Sequence, residues 1–204
     1  MNMTQNSYRK TAAQTPQQWR PALGLALVML VLCGGIYSAT VTSIGGVLFP
    51  QQAMGSLIAL GDKPIGSALI SQPFSAEHYF HGRPSSADND PMTTGGSNLA
   101  PSNPELRDRV AQTSAMLTKQ YQVSAEQLPV DLLASSGSGV DPHISPAAAL
   151  LQLERVAAAR KAPVEAIQQL LTKQTEAAQW GIFGQPRVNV LLLNLSLDAQ
   201  HPLQ

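Results

Sequence analysis

Residues 22–41 read ALGLALVMLVLCGGIYSATV, and this apolar run determines how the chain is organised. The run holds 20 residues without a charge, and the uncharged stretch continues to Gly61. At a rise of about 1.5 Å per residue, a helix of this length crosses a hydrocarbon core about 30 Å thick. The run therefore predicts one transmembrane helix, which we place at residues 21–42.

The charges on either side of this helix predict its orientation. Arg9, Lys10 and Arg20 are the only charged residues before Asp62. Basic residues in a short flank favour the cytoplasmic side of a membrane. We therefore expect residues 1–20 to form a cytoplasmic tail of a single-pass protein in a bacterial inner membrane. The rest of the chain is then periplasmic.

A cleaved signal peptide is the competing interpretation of the same run. Its apolar core would be Ala22 to Cys33, and the small residues Ser38 and Ala39 would lie near the cleavage site. The sequence around Ala39 matches a small-x-small cleavage site poorly, and apolar residues continue as far as Phe49. These features favour a retained helix.

The remaining chain is predicted to form a membrane-proximal connection at residues 43–54 and one extracytoplasmic domain at residues 55–204. Residues 62–204 contain 13 acidic and 10 basic residues, a net charge of −3. That balance argues against a nucleic-acid-binding protein, which would carry an excess of basic residues. Cys33 is the only cysteine, so no disulfide can form within the chain. A domain of about 150 residues can bury a sufficient core without one.

Local patterns predict a mixed α/β fold for this domain. Two strands at residues 57–60 and 68–70 are expected to flank a turn at 61–64. A polar, proline-rich loop follows at residues 81–104. Asn103-Pro104 is a typical helix start, and the helix is predicted to run to about Tyr121.

The second half of the domain is predicted to contain a strand, two helices and a final strand. The strands are expected at residues 130–133 and 187–197, with a turn at 181–186 before the second. The helices are expected from Pro146 to about Lys161 and from Pro163 to about Gln174.

Asp141, His143 and Ser145 lie close together and suggest two different roles. An acid, a histidine and a serine could serve a membrane-anchored periplasmic hydrolase. However, a catalytic triad is assembled in space rather than within five residues, and no G-x-S-x-G turn is present. The alternative is that Ser145 caps the following helix while Asp141 and His143 order its entry. This structural role is favoured.

Other polar motifs give weaker indications of chemistry. His78, His81 and Glu77 are too few for a structural zinc site, so no metal is expected. The glycine-rich segments at 94–97 and 135–139 lack the lysine of a phosphate-binding loop. These segments therefore give no support for nucleotide hydrolysis by this chain.

Two groups of residues could bind partners. Arg83, Asn98 and Asn103 lie in the long polar loop, where they could either form local turns or dock a partner. In the span, Gly34-Gly35 and Gly45-Gly46 could allow another helix to approach closely, or could be glycines tolerated in a lipid-facing helix. A third class of function, a periplasmic ligand-binding or sensing module, would need a pocket that the sequence cannot reveal.

Several blocks of sequence, taken together, resemble one known family. The chain is similar, in the same order and with comparable spacing, to the C subunit of the bacterial Kdp potassium-transporting ATPase. The similar blocks are RPALGLALVMLVLCGGIYSATVTSIGGVLFP at 20–50, YFHGRPS at 79–85, GGSNLAPSNP at 95–104, SGSGVDPHISPAAA at 136–149 and FGQPRVNVLLLNLSLD at 183–198.

The resemblance implies a non-catalytic accessory and assembly subunit of a high-affinity, ATP-driven potassium uptake pump. Its partners would be a channel-like potassium-binding subunit, a P-type ATPase subunit and a small stabilising peptide. The resemblance also implies docking at the outer face of the channel-like subunit. ATP, Mg²⁺ and K⁺ would be handled by those partners and not bound directly by this chain.

Overall fold

The computed structural model describes residues 19–203. These residues divide into two compact units, one ending at Met54 and the other beginning at Gly55. The first unit is helical, and the second contains helices and two small β-sheets. The predicted fold class, a mixed α/β domain with one N-terminal apolar helix, is confirmed.

A continuous helix of 30 residues, Trp19–Leu48, is the one described helix long and apolar enough to cross a membrane. It consists of α1 (Trp19–Met29), a π-helical segment (Leu30–Tyr37) and α2 (Ser38–Leu48). The helix is longer than the predicted span 21–42. It ends where Phe49 leaves helical geometry before Pro50, and the short helix α3 (Pro50–Ala53) follows.

The second unit begins with an antiparallel hairpin of β1 (Leu57–Leu60) and β2 (Lys63–Ser67). The prediction for the first strand is confirmed, but the second strand was predicted at 68–70 and this is wrong. Leu60 pairs directly with Lys63, so Gly61 and Asp62 alone form the turn. The register shifts between Ile58 and Ala59, where β2 has one extra residue, Ile65, next to Pro64, which cannot donate a backbone hydrogen bond.

The chain from residue 68 to residue 103 contains no described helix or strand, as the polar composition of its larger part predicts. Helix α4 (Pro104–Tyr121) begins where the Asn103 side chain accepts a hydrogen bond from Glu105 N. A short 3₁₀ helix (Ala125–Gln127) follows. The predicted N-cap and both ends of α4 are therefore confirmed.

Residues 130–133 were predicted to form a strand, and the structure shows a 3₁₀ turn at Val130–Leu132 instead. Val130 is 74% exposed whereas Leu132 is 7% exposed. One tight turn places Leu132 in the core and lets the Asp131 carboxylate reach Ser145. A strand would have required a pairing partner that this segment does not have.

A three-stranded antiparallel sheet lies at the centre of the domain, with strand order β3-β5-β4. The strands are β3 (His143–Ile144), β4 (Thr175–Glu176) and β5 (Arg187–Asn189). Between β3 and β4 the chain forms α5 (Pro146–Arg160) and α6 (Val164–Gln174), close to the predicted bounds.

The predicted strand at 187–197 is only partly correct, because α7 (Val190–Gln200) begins directly after β5. The Asn189 side chain accepts a hydrogen bond from Leu192 N at 3.1 Å and so caps α7. Val190, Leu193 and Leu197 are buried, at the spacing of one helical face. One face of a helix is therefore buried where the sequence predicted a strand.

The core of the domain lies between α5, α6, α7 and the sheet. Its fully buried members are apolar, and they come from the three helices, from the sheet and from the irregular segment between residues 68 and 103. They include Phe80, Ile144, Ala148, Val156, Ile167, Val188, Leu193 and Leu197.

Candidate functional site

A polar cleft of about 410 Å³ lies in front of β3. Four of the six residues predicted as docking or structural motifs line it, namely Arg83, Asp141, His143 and Ser145. Asp131 and Arg187 contribute further charges to its wall. A loop, a strand and the start of a helix thus meet at this cleft. Arg83 and Asp141, which are in contact there, are 58 residues apart in the sequence.

Asp141 is the centre of the hydrogen bonds in the cleft. Arg83 Nη1 donates to Asp141 Oδ2 at 3.0 Å, and the His143 backbone N–H donates to Oδ1 at 3.0 Å. His143 Nδ1 lies 3.2 Å from the same oxygen. Burial alone would raise the pKa of Asp141, but the bonds from His143 and the Arg83 charge outweigh it and lower the pKa.

Ser145 is held by a different acid from the one that holds His143. Its hydroxyl donates to Asp131 Oδ1 at 3.0 Å, and its backbone N–H donates to Asp131 Oδ2 at 2.6 Å. The same hydroxyl accepts from Ala148 N at 3.0 Å and so caps α5. A serine nucleophile needs a general base at its hydroxyl, and the hydroxyl here is directed to a carboxylate and a helix start. The contacts therefore favour the structural role.

Hydrogen bonds join the long loop after Arg83 to the glycine-rich segment at 135–139. Ser85 Oγ donates to Gly139 O at 2.5 Å, and Gly95 N donates to Ser138 O at 2.8 Å. Gly139 has φ of +74°, and a Cβ at this position would lie 2.6 Å from Ala87 Cβ. The glycine-rich segment thus packs closely against the long loop and holds it in place.

Asn98 and Asn103 are not among the residues that line the cleft. Asn98 is exposed and has a left-handed backbone with φ of +52°. Asn103 caps α4. Asn103 therefore has a local role as a cap, and the docking of a partner by either residue stays a prediction.

Sequence reasoning missed a second polar cluster, which fixes residues 77–82 against α5 and α7. Asn194 binds both main-chain groups of Phe80: its Oδ1 accepts from the N–H, and its Nδ2 donates to the C=O, each at 2.9 Å. Gln152 binds both groups of His81 in the same way, at 2.7 and 3.1 Å. Both amides are 1% exposed. A lone Asn within the apolar run LLLNL was the available signal.

Two arginines complete this cluster. Arg155 Nη2 donates to Tyr79 O at 3.0 Å, and Arg160 Nε donates to His78 O at 2.8 Å. Arg160 also forms an ion pair with Asp198 at 2.6 Å, although the Arg160 side chain is fully buried. A buried guanidinium is tolerated because carbonyls and a carboxylate occupy its donors.

The histidine and the tyrosine of this cluster have perturbed acidities. Burial lowers the pKa of His81, whose Nε2 lies 3.0 Å from the Ala76 carbonyl oxygen. Burial raises the pKa of Tyr79, and its hydrogen bond to Asp198 adds to the rise. The His81 ring is thus held within the fold by a main-chain carbonyl.

In the first unit, the glycines predicted for helix packing present open surface. An added Cβ at Gly35, Gly45 or Gly46 would meet no atom within 4 Å, and at Gly34 it would meet only the Leu30 side chain. Gly34 and Gly35 lie in the π-helical segment, where Ser38 Oγ donates to Cys33 O. Small residues of this kind allow close helix contact in membranes.

Comparison with known proteins gives a consistent result. Residues 19–199 match the family model described as KdpC, the K⁺-transporting ATPase c chain. A relative in Shewanella putrefaciens is 55% identical over 181 residues, which are 88% of this chain and 91% of the relative. Relatives in Xanthomonas oryzae pv. oryzae and Beijerinckia indica are 49% and 45% identical, over 88% and 92% of this chain and 86% and 96% of their own lengths. All three are named potassium-transporting ATPase KdpC subunit.

Proposed function

The chain belongs to the KdpC family of K⁺-transporting ATPase c chains, and from this membership we propose that it is a non-catalytic accessory subunit. Its role is to stabilise the pump complex. The observation that supports this role best is the use of Ser145, whose hydroxyl caps α5 and donates to Asp131. The residues that most resembled catalytic groups are engaged in holding the domain together.

The proposed topology follows from charge and hydropathy. Arg9, Lys10 and Arg20 precede the helix Trp19–Leu48, and basic flanks favour the cytoplasm. In this proposal residues 1–20 are the cytoplasmic tail, the helix crosses the inner membrane, and the domain from Gly55 onwards is extracytoplasmic. The phosphorylation chemistry of the pump is then on the opposite side from the domain.

The proposed partners are the channel-like potassium-binding subunit, the P-type ATPase subunit and the small stabilising peptide. The outer domain docks on the channel-like subunit, while the span packs through Gly34, Gly35, Gly45 and Gly46. The open surface at these glycines supports close helix contact. In this arrangement ATP, Mg²⁺ and K⁺ are handled by the partner subunits.

Affinity purification of the full chain tests the proposal. The tagged chain is produced together with the other pump subunits, and membranes are solubilised in a mild detergent. We expect the channel-like and P-type subunits to co-purify with the chain, and K⁺-stimulated ATP hydrolysis to co-elute. Recovery of an active, K⁺-stimulated complex from cells that lack this chain would contradict the proposal.

The variant Ser145→Ala separates the accessory role from the hydrolase alternative. Loss of the cap costs about 1 kcal/mol of stability. The assembled pump therefore keeps K⁺-stimulated ATP hydrolysis close to that of the wild type. The hydrolase alternative instead requires that the chain itself hydrolyses a periplasmic substrate and that folded Ser145→Ala loses this turnover completely.

A further inference from the structure

The segment Ala177–Pro186, which we name the aromatic turn, joins β4 to β5 and projects from the domain. It contains no charged residue, and every residue from Gln179 to Arg187 is exposed. Trp180 is 82% exposed, Ile182 79% and Phe183 58%. Three large apolar side chains on one short turn are unusual for a surface without a binding role.

The backbone of the aromatic turn is well defined. Gln179 N donates to Phe183 O at 2.8 Å, and Phe183 N donates back to Gln179 O at 2.9 Å. Trp180 and Gly181 both have positive φ, +55° and +74°, as in a type I′ turn. A left-handed backbone is unfavourable for tryptophan, for which asparagine would be the ordinary choice. The turn therefore holds Trp180 outward against its conformational preference.

The aromatic turn also has the layout of a protein-binding hot spot. The Trp180 and Phe183 rings meet edge to face with centroids 6.0 Å apart, so each ring restricts the other. At the base, Arg187 Nε donates to Glu176 Oε2 at 2.8 Å. A cavity of about 460 Å³ lies beside Phe183 and is bounded by this ion pair. An apolar centre with a polar rim is typical of such hot spots.

We propose that the aromatic turn docks into an apolar cleft on the extracytoplasmic surface of the channel-like subunit. The inference rests on the proposed function, and it names the surface through which the domain assembles. Trp180 and Phe183 enter the cleft of the partner, while a side chain of the partner fills the cavity beside Phe183.

A protein partner accounts for the turn better than a lipid surface does. A fluid bilayer accepts aromatic rings in many orientations, so a rigid, strained turn would not increase the affinity for it. A protein cleft of defined shape binds side chains more tightly when they are already fixed in place, because less conformational entropy is lost on binding. The two charged residues that flank the turn, Glu176 and Arg187, are paired with each other, so neither flank offers a free basic residue to lipid headgroups.

Photo-crosslinking tests this assignment in the complete complex. The full chain carries benzoylphenylalanine in place of Trp180, and a matched control carries it in place of Met92, which is 88% exposed on the long loop. We expect position 180 to give an adduct with the channel-like subunit in higher yield than position 92. An adduct with lipid or with a different subunit alone, or no adduct in an intact complex, would overturn the inference and leave the accessory role standing. Failure of the wild-type chain to enter any complex would overturn both.

The variant Trp180→Asn separates docking from folding. It places Asn-Gly, the preferred type I′ pair, in the turn, so the thermal midpoint of the chain should stay the same or rise. We expect its retention in the solubilised complex to fall at least tenfold. Met92→Asn should leave retention unchanged. Wild-type retention of Trp180→Asn would overturn the inference.

Discussion

At the scale of single residues, Asn194 and Gln152 supply the hydrogen bonds that a neighbouring strand would make in a sheet. Each amide binds the N–H and the C=O of one residue in the 79–82 segment, which is the pairing that a neighbouring strand would offer. The whole of Phe80 is buried, main chain included, so its N–H and C=O groups have no access to water. These two amides therefore allow an irregular segment to cross the core at an acceptable cost.

The variant Asn194→Leu tests this role. Leucine fits an apolar core but leaves the Phe80 N–H and C=O without partners, and each buried orphan group costs about 1–3 kcal/mol. We expect the free energy of unfolding of the outer domain to fall by at least about 2 kcal/mol. It is measured by urea titration of the full chain in detergent, followed by circular dichroism.

The control for this prediction is Gln168→Leu, which makes a similar change at an exposed position of α6. Its effect should stay within about 0.5 kcal/mol. Equal destabilisation by the two variants would show that the amide pairing with Phe80 contributes nothing specific.

The sequence predicts local contacts at this scale but not distant ones. Asn103 and Ser145 were predicted as caps, because their partners lie two or three residues ahead. Asn194 and Phe80 are 114 residues apart, and no local pattern reports such a pair. The cleft shares this feature, since Asp141 was noted with His143 but its contact with Arg83 depends on the fold.

At the scale of elements, the segment after Pro186 shows why a strand was predicted where a helix forms. Apolar residues are so frequent between Val188 and Leu197 that both a strand and a buried helix fit the pattern. The decision depends on Asn189, whose side chain starts α7 while its backbone ends β5. Helices α4, α5 and α6 were easier to predict, because each begins beside a proline with a recognisable cap or turn.

The packing of the two loops gives a prediction at the same scale. Gly139→Ala should destabilise the domain by about 1–3 kcal/mol, since the left-handed backbone disfavours alanine. The added Cβ would also lie 2.7 Å from Gly95 O. Thermal unfolding of the full chain in detergent measures the loss.

Gly137→Ala is the matched control, because a Cβ there meets no atom within 4 Å and φ is ordinary. It should unfold at nearly the wild-type temperature. If Gly139→Ala does the same, the two loops are not packed as described.

At the scale of the whole molecule, the chain combines an apolar helix of 30 residues with a domain of helices and two small β-sheets. Hydropathy alone predicts the helix, because a long uncharged run has few other stable environments. The family could be identified from sequence blocks that lie throughout the domain. The proposed docking surface could not, because the sequence predicts only a turn at 181–186, and the exposure of the neighbouring Trp180 depends on the fold.

The central claim is that the outer domain is needed to assemble a working pump. The most direct measurement is K⁺-stimulated ATP hydrolysis in membranes containing the other subunits with either the full chain or a chain ending at Met54. Both forms carry the same C-terminal tag, so that their amounts in the membrane can be matched. We predict that the truncated chain inserts into the membrane but supports little or no K⁺-stimulated hydrolysis. Equal rates with the two forms would contradict the account.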